Sequence, residues 1–194
     1  MSITAPEGFV AAGLAGGIKA SGAMDLALVA SDDGRPVPSA GVFTVNLAAA
    51  APVRLSRAHL QASGGRSAAV VVSSGNANAA TGARGLDDAR AMCALVGEGL
   101  GAATTDVLIA QTGLIGIPLP MARIEAGLPR LVAAGAAGPA AGEAAATAIL
   151  TTDTTRKEVV VEGPGFTVGA MAKGAAMLAP HMATMLAVLT TDAT

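Results

Sequence analysis

Residues 86–116 read LDDARAMCALVGEGLGAATTDVLIAQTGLIG. In the first half, Leu86, Ala89, Met92, Cys93, Val96 and Leu100 recur at helical spacing, and Asp87 and Asp88 fall where the first turn of a helix favours acid. In the second half, 106–112, DVLIAQT, is a short apolar run that predicts a strand leading into the glycine-bearing turn 113–116. A proline-flanked entry to another helix follows.

Working outward, 24–31 (MDLALVAS) and 68–74 (AAVVVSS) predict short buried strands bounded by turn residues, and 41–45 is read as a further strand. The alanine-rich stretch 131–148 is read as a spacer and then a packed helix opening at Gly142 and Glu143 and leading into Thr151. Residues 157–162 and 166–170 form a hairpin pattern around Gly163, Pro164 and Gly165, and 185–190 predicts a fully buried strand. Strands and helices both recur, which predicts an α/β fold in one compact unit. No tandem repeat or linker interrupts it, and the last strand, stopping at Thr194, reads as that of a chain cut short.

Hydrophobic residues make up 52% of the 194 positions, with 25 glycines and no tryptophan or tyrosine, so close backbone packing has to replace aromatic bulk. That composition argues against disorder and against stacking on bases. The net charge of −2 arises from interspersed charges with no basic stripe, which argues against nucleic acid or an anionic membrane as partner. Apolar runs are broken before the roughly 20 residues a membrane-spanning helix needs, and the start, MSITAPEGF, lacks the flank and core of a signal peptide. A lone cysteine excludes an internal disulfide and a zinc site built on paired cysteines, and it fits a cytoplasmic protein. Cys93 itself lies on the apolar helix face and reads as a small hydrophobe. His59 and His181 are isolated and read as surface or turn residues, and Met177, Met182 and Met185 lack cysteine or histidine partners and read as packing; no metal is implied.

The segment 171–192, MAKGAAMLAPHMATMLAVLTTD, carries the most chemical information. A small-residue turn and a proline lead to Ala183-Thr184 and then to a strand, a context that can hold a peptide bond under strain. Threonine inside a chain is a weak nucleophile. Cleavage before it frees an α-amino group whose pKa of about 8 lets it serve as the base for its own hydroxyl. Without further context, Ala-Thr before an apolar strand is an ordinary strand entry.

The context is a pattern that closely resembles the ornithine acetyltransferase (glutamate N-acetyltransferase) family: Lys173-Gly174, Met177, Ala179-Pro180, Met182-Ala183-Thr184-Met185-Leu186 and Leu189-Thr190-Thr191-Asp192. The resemblance extends over nearly the whole chain through Thr4-Ala5-Pro6, Gly16-Gly17-Ile18-Lys19, Asp25-Leu26-Ala27-Leu28, Ala40-Gly41-Val42-Phe43-Thr44, Ser74-Gly75-Asn76-Ala77-Asn78-Ala79 and Thr112-Gly113-Leu114-Ile115-Gly116. It implies an autoprocessed α/β protein of the N-terminal-nucleophile type, a layered sandwich of mixed β-sheets and helices. Residues 1–183 would form an α-subunit-like domain and 184–194 the truncated start of a β-subunit segment.

By the same resemblance, Thr184 is the nucleophile, freed by scission between Ala183 and Thr184. It takes the acetyl group of N-acetylornithine and passes it to glutamate, a step of arginine biosynthesis. Thr112 and Gly113 match the family's oxyanion hole, Lys173 a substrate-contacting lysine and Thr151 a substrate-binding threonine, with Thr152 the competing register. The resemblance further implies a second, C-terminal half as partner, an α2β2 heterotetramer and no organic cofactor, with acetyl-CoA as a further candidate donor. Asn76 and Asn78, in a glycine-containing turn, are read as structural.

The sequence departs from the family pattern at Ala176, where glycine is usual, at Gln111, where a small residue precedes Thr-Gly, at Ile117, commonly acidic, and at His181, commonly asparagine or serine. Two other readings stand beside the acetyltransferase: a self-cleaving aminopeptidase or amidase on the same scaffold, and a noncatalytic scaffold subunit.

Overall fold

The computed structural model describes residues 2–175 and 184–194. In chain order the strands and helices are β1 (Phe9–Leu14), β2 (Leu26–Ser31), β3 (Val37–Pro38), α1 (Ala51–Ala62), β4 (Arg66–Ser67), β5 (Ala69–Asn76), α2 (Gly82–Leu100), β6 (Val107–Leu114), α3 (Met121–Ala133), α4 (Pro139–Ala148), β7 (Lys157–Gly163), β8 (Phe166–Lys173) and β9 (Leu186–Thr191). Two sheets carry the architecture. One has the order β1-β2-β5-β6, the other β7-β8-β9, and β3 pairs with β4 as a short separate ribbon.

In the four-stranded sheet β1, β2 and β5 run antiparallel to their neighbours, while β5 and β6 are parallel and joined through α2. β2 is buried along its whole length because both of its faces are covered. Leu26, Leu28 and Ala30 join Val71, Ile109, Met92, Leu128 and Leu131 in the core under the helices, whereas Ala27 and Val29 point the other way, to Ile3, Ala145, Ile149 and Met171. This two-residue alternation divides one strand between two cores. The result is a layered α/β sandwich: helices α1–α3 on one face of the sheet, α4 and the three-stranded sheet on the other.

Small residues set the layer spacing. α4 is rich in alanine and lies flat on β1, and a Cβ placed on Gly13 would strike the backbone carbonyl of Ala144. Here backbone proximity does take the place of aromatic bulk, as the composition predicts. Cys93 is buried on the core face of α2, and burial pushes its thiol up to about 12, which keeps it an inert hydrophobe.

β6 is the edge of its sheet, and α1 covers it. The Ser56 hydroxyl donates to the Ile109 carbonyl (2.7 Å) and accepts the Ile109 N–H (2.8 Å), standing in for a neighbouring strand. One turn on, the His59 Nδ1 lies 2.8 Å from the Val107 carbonyl, which can only accept, so Nδ1 carries the proton. His59 is therefore a buried edge cap and not the surface or turn histidine expected from its isolation in the sequence.

Four other expectations change. Residues 41–45 form no strand: Val42 and Val45 are 82% and 84% exposed, and the chain goes on into side-chain turns, Asn46 N–H to Thr44 Oγ1 and Ala48 N–H to Asn46 Oδ1. α2 begins at Gly82, so Asp87 and Asp88 sit in its second turn; two early glycines, Gly82 and Gly85, hide the start. α4 opens at Pro139, three residues before Gly142. β9 is not fully buried, because Leu186, Val188 and Thr190 face inward while Leu189 is 66% exposed.

That exposure belongs to a whole surface. By register, Val159 and Val161 of β7, Phe166, Val168 and Ala170 of β8, and Ala187 and Leu189 of β9 share the outer face of the three-stranded sheet. A sheet face this apolar is ordinarily one side of a core. Among the described residues, no helix is long and apolar enough to cross a membrane.

Ser56→Ala removes the side chain that meets both backbone groups of Ile109, and the two buried groups lose that partner. The substitution is expected to cost about 1–3 kcal/mol, read as a lowered urea midpoint with an unchanged slope in equilibrium unfolding. An unaltered midpoint would show that water replaces the hydroxyl at this edge.

Candidate active site

Because β5 and β6 are parallel, both deliver their C-terminal ends to the same edge of the sheet, where α/β folds commonly hold their chemistry. The loop after β5 is shaped from within. Asn78 adopts a left-handed conformation (φ 48°), and its amide donates to the Gly85 carbonyl (2.7 Å) and to Gln111 Oε1 (2.8 Å). Gln111 passes the chain on to Ser73 Oγ at 3.0 Å. Asn76 accepts the Asn78 N–H at 2.8 Å and donates to the Ile117 carbonyl at 2.9 Å. Both asparagines are spent on the turn, and Gln111 is the buried link between the β5 loop and β6.

Gly113 ends this stretch with φ 134°, and a Cβ there would collide with the backbone of Gly75 and Asn76. The glycine is thus demanded by the close approach of the two strand ends, whatever else its N–H does. Its neighbour Thr112 is buried, with its hydroxyl at the same edge.

The second sheet brings Lys173 to that hydroxyl. Lys173 closes β8, is only 4% exposed, and points its ammonium inward, where Nζ donates to Thr112 Oγ1 (3.2 Å) and Thr151 Oγ1 (2.6 Å). An ammonium has no lone pair, so both threonine oxygens must accept. Each hydroxyl proton is thereby directed away from the lysine and toward a further acceptor. Two pre-aimed O–H donors beside a cation form a site suited to an oxygen that gains negative charge.

A buried carboxylate completes the cluster. Asp153 Oδ1 accepts from Lys157 Nζ (2.5 Å) and from the Gly174 N–H (2.8 Å), and Oδ2 stands 3.9 Å from Lys173 Nζ. Burial pushes Asp153 up, but the Lys157 and Gly174 hydrogen bonds and the charges of Lys157 and Lys173 outweigh it, holding the carboxyl below its ordinary range. Burial draws Lys173 below the ordinary lysine range; Asp153 opposes this and Lys157 adds to it. Nearby, Lys19 Nζ donates to the Met24 and Leu150 carbonyls at 2.7 Å each, anchoring the residue just before Thr151.

Of the residues singled out in the sequence, Thr112, Thr151 and Lys173 therefore meet at one point, with Gly113 next to it. Thr151, and not Thr152, is the threonine that meets the lysine. Thr184 is exposed at the entry to β9. The ladder pair Lys173↔Leu186 ends two residues short of it, so the backbone register places Thr184 at the Lys173 end of the sheet. Ala183, Ala176, His181, Met177 and Met182 lie outside the described residues. Asp153, Lys19 and Gln111 were not assigned to the site from sequence, because their partners lie in other segments that only the folded layers bring near. Among the described residues no group of three or more histidine, cysteine or acidic side chains could hold a metal ion.

Comparison with known proteins places this geometry in a lineage. The ArgJ family matches over residues 10–194. The arginine biosynthesis bifunctional protein ArgJ of Streptomyces avermitilis is 51% identical over 193 residues, covering all of this chain and 49% of the relative. That of Symbiobacterium thermophilum is 49% identical, covering 98% of this chain and 48% of the relative. The chain thus spans about half the length of the curated relatives it matches. Among solved structures, the ornithine acetyltransferase of Mycobacterium tuberculosis complexed with ornithine superposes with a TM-score of 0.88 at 43% identity, covering 95% of this chain and 96% of that one. The ArgJ of Bacillus halodurans gives a TM-score of 0.77 at 32% identity, covering 98% and 88%. The chain belongs to the ArgJ family.

Proposed function

We propose that this chain supplies one half of an autoprocessing acetyltransferase that moves an acetyl group from N2-acetylornithine to glutamate through an acetyl-threonine at Thr184. The observation that carries the reading is the double donation of Lys173 to Thr112 and Thr151, which frees both hydroxyl protons for a substrate oxygen. Family membership and the likeness to an ornithine-bound acetyltransferase support the substrate class.

In this mechanism the Thr184 hydroxyl first attacks the Ala183 carbonyl. The peptide bond shifts to an ester, and water hydrolyses it, leaving an Ala183 carboxylate and a free Thr184 amino group. That amino group, with a pKa of about 8, takes the proton as the hydroxyl attacks the acetyl carbonyl. The negative oxygen of the tetrahedral intermediate is stabilised by the Thr112 O–H and the Gly113 N–H, collapse expels ornithine, and the amine of glutamate reverses the sequence to leave as N-acetylglutamate. Lys173, a buried cation beside these donors, pairs with the α-carboxylate of the amino-acid substrates, and Thr151 holds both lysine and substrate.

The reading needs no metal or organic cofactor, and acetyl-CoA is an alternative donor that the assay below can include. It assigns residues 1–183 to an α subunit and 184–194 to the start of a β subunit. β9 is nonetheless woven into the sheet through β8, and the Thr190 hydroxyl donates to the Ile3 carbonyl at 2.5 Å, which favours the two pieces remaining together after scission. The partner is a C-terminal half, and the uncovered apolar face of the β7-β8-β9 sheet supports a partner that packs there. An α2β2 assembly in the cytoplasm completes the proposal, the latter consistent with a single buried thiol.

Co-expression with the C-terminal half of the Streptomyces avermitilis relative tests it. Intact mass is expected to reveal scission between Ala183 and Thr184, and the assembly to exchange acetyl between ornithine and glutamate; Thr184→Ala abolishes both. Release of free amino acid by water alone would identify a hydrolase, and an assembled but uncut and inactive complex a scaffold.

Thr112→Ala is expected to lower kcat for transfer on the order of 100-fold with a smaller change in KM, as loss of an oxyanion donor does, and Thr112→Ser to restore much of it. An equal loss in both variants would contradict the donor role.

A further inference from the structure

Asp153 is a carboxylate wholly removed from solvent, yet only one of its oxygens is matched. Oδ1 accepts two hydrogen bonds, from Lys157 Nζ and the Gly174 N–H, while Oδ2 has no hydrogen-bond partner among the described residues and lies 3.9 Å from Lys173 Nζ. A buried charged oxygen without a partner is costly unless a nearby charge compensates it. Here the compensating charge is the ammonium that touches Thr112 and Thr151.

The carboxylate also ties three pieces of chain together. It arises in the turn that follows α4, two residues after Thr151. Through Lys157 it reaches the first residue of β7, and through Gly174 it reaches the residue directly after Lys173.

We propose that Asp153 is the positioning residue of the site, its Oδ2 holding the Lys173 ammonium against Thr112 and Thr151 and its Oδ1 tying Gly174, the residue directly after Lys173, to the same turn. The inference rests on the reading of this pocket as the acetyl-transfer site, but its structural core is independent of catalysis. Among the described residues, the charges facing Lys173 are Asp153 and Lys157, with Lys19 a further cation nearby; Thr112 and Thr151 are neutral. Asp153 is the one anion among them. Without it the ammonium, already disfavoured by burial, has only like charges and two hydroxyls for company, and it must lose its proton at lower pH.

The test separates charge from hydrogen bonding. Asp153→Asn keeps an amide oxygen for the Gly174 N–H and removes the charge. With lysine side chains labelled with 13C at Cε, NMR titration of the 194-residue chain is expected to show Lys173 deprotonating at clearly lower pH in Asp153→Asn than in the unaltered protein. An unchanged Lys173 titration in the folded variant overturns the proposal. If that variant does not fold, the coupling is read from the other side: in Lys173→Met the Asp153 carboxyl 13C is expected to titrate at higher pH, and an unmoved titration there also overturns it.

In the assembled enzyme, Asp153→Asn is expected to raise KM for the carboxylate-bearing substrates about 10-fold, the size of an effect worth roughly 1.4 kcal/mol, with kcat within a few-fold and the alkaline limb of the pH profile moved to lower pH. A loss confined to kcat with an unmoved pH profile overturns the positioning role. Absence of transfer in the unaltered assembly defeats the acetyl-transfer reading alone, since the NMR coupling is measured without turnover.

Discussion

An ammonium group buried beneath two threonine hydroxyls is the constraint around which the rest of this protein is arranged. Taking a lysine charge out of water costs several kcal/mol in a protein interior unless partners replace its hydration. Lys173 finds those partners in two separate segments: Thr112 near the end of β6, and Thr151 and Asp153 in the turn after α4. None of these contacts is local, so the site exists only once both sheets have formed and stacked. The same arrangement sets the chemistry, because a lysine that can only donate forces each threonine to turn its own proton outward.

The layers make this meeting possible through small side chains. β2 buries one row of residues under helices and the other row against α4 and the second sheet, so that the four-stranded sheet is held from both sides. Gly13 lets α4 settle on β1, and Gly113 lets the end of β6 lie against Gly75. A Cβ at Gly13 would push α4 off β1, and one at Gly113 would part the ends of β5 and β6 beside Thr112. The edge of β6 is closed by Ser56 and His59 of α1, which leaves the strand end to meet Lys173.

Legibility in the sequence followed burial. β2, β5 and β6 are covered on both faces and appear as continuous apolar runs, and α2 has a full apolar stripe, so all four were readable. β1 and α1 were not: β1 is diluted by Ala11, Ala12 and Gly13, and α1 buries Ser56 and His59 where an apolar residue would have marked its face. The strand expected at 41–45 failed because its valines have no neighbouring strand to pair with. β9 read as buried because its outward residues are as apolar as its inward ones, a pattern that fits a face meant to be covered. Within the site, Thr112, Gly113, Thr151, Lys173 and Thr184 were found through resemblance to a family. Spacing alone gave no reason to join them, and Asp153, placed by a turn and a hairpin, carried no linear signal at all.

An acyl-enzyme at Thr184 can be trapped. The assembled halves would be mixed with N-acetylornithine in the absence of glutamate, quenched in acid and mapped by peptide mass. A single acetyl group is expected on the peptide that begins with Thr184, and its loss when glutamate is added before the quench. Acetyl found on Lys173 or another side chain, or transfer to glutamate with no acetylated threonine peptide at any time, would contradict an acyl-enzyme at Thr184.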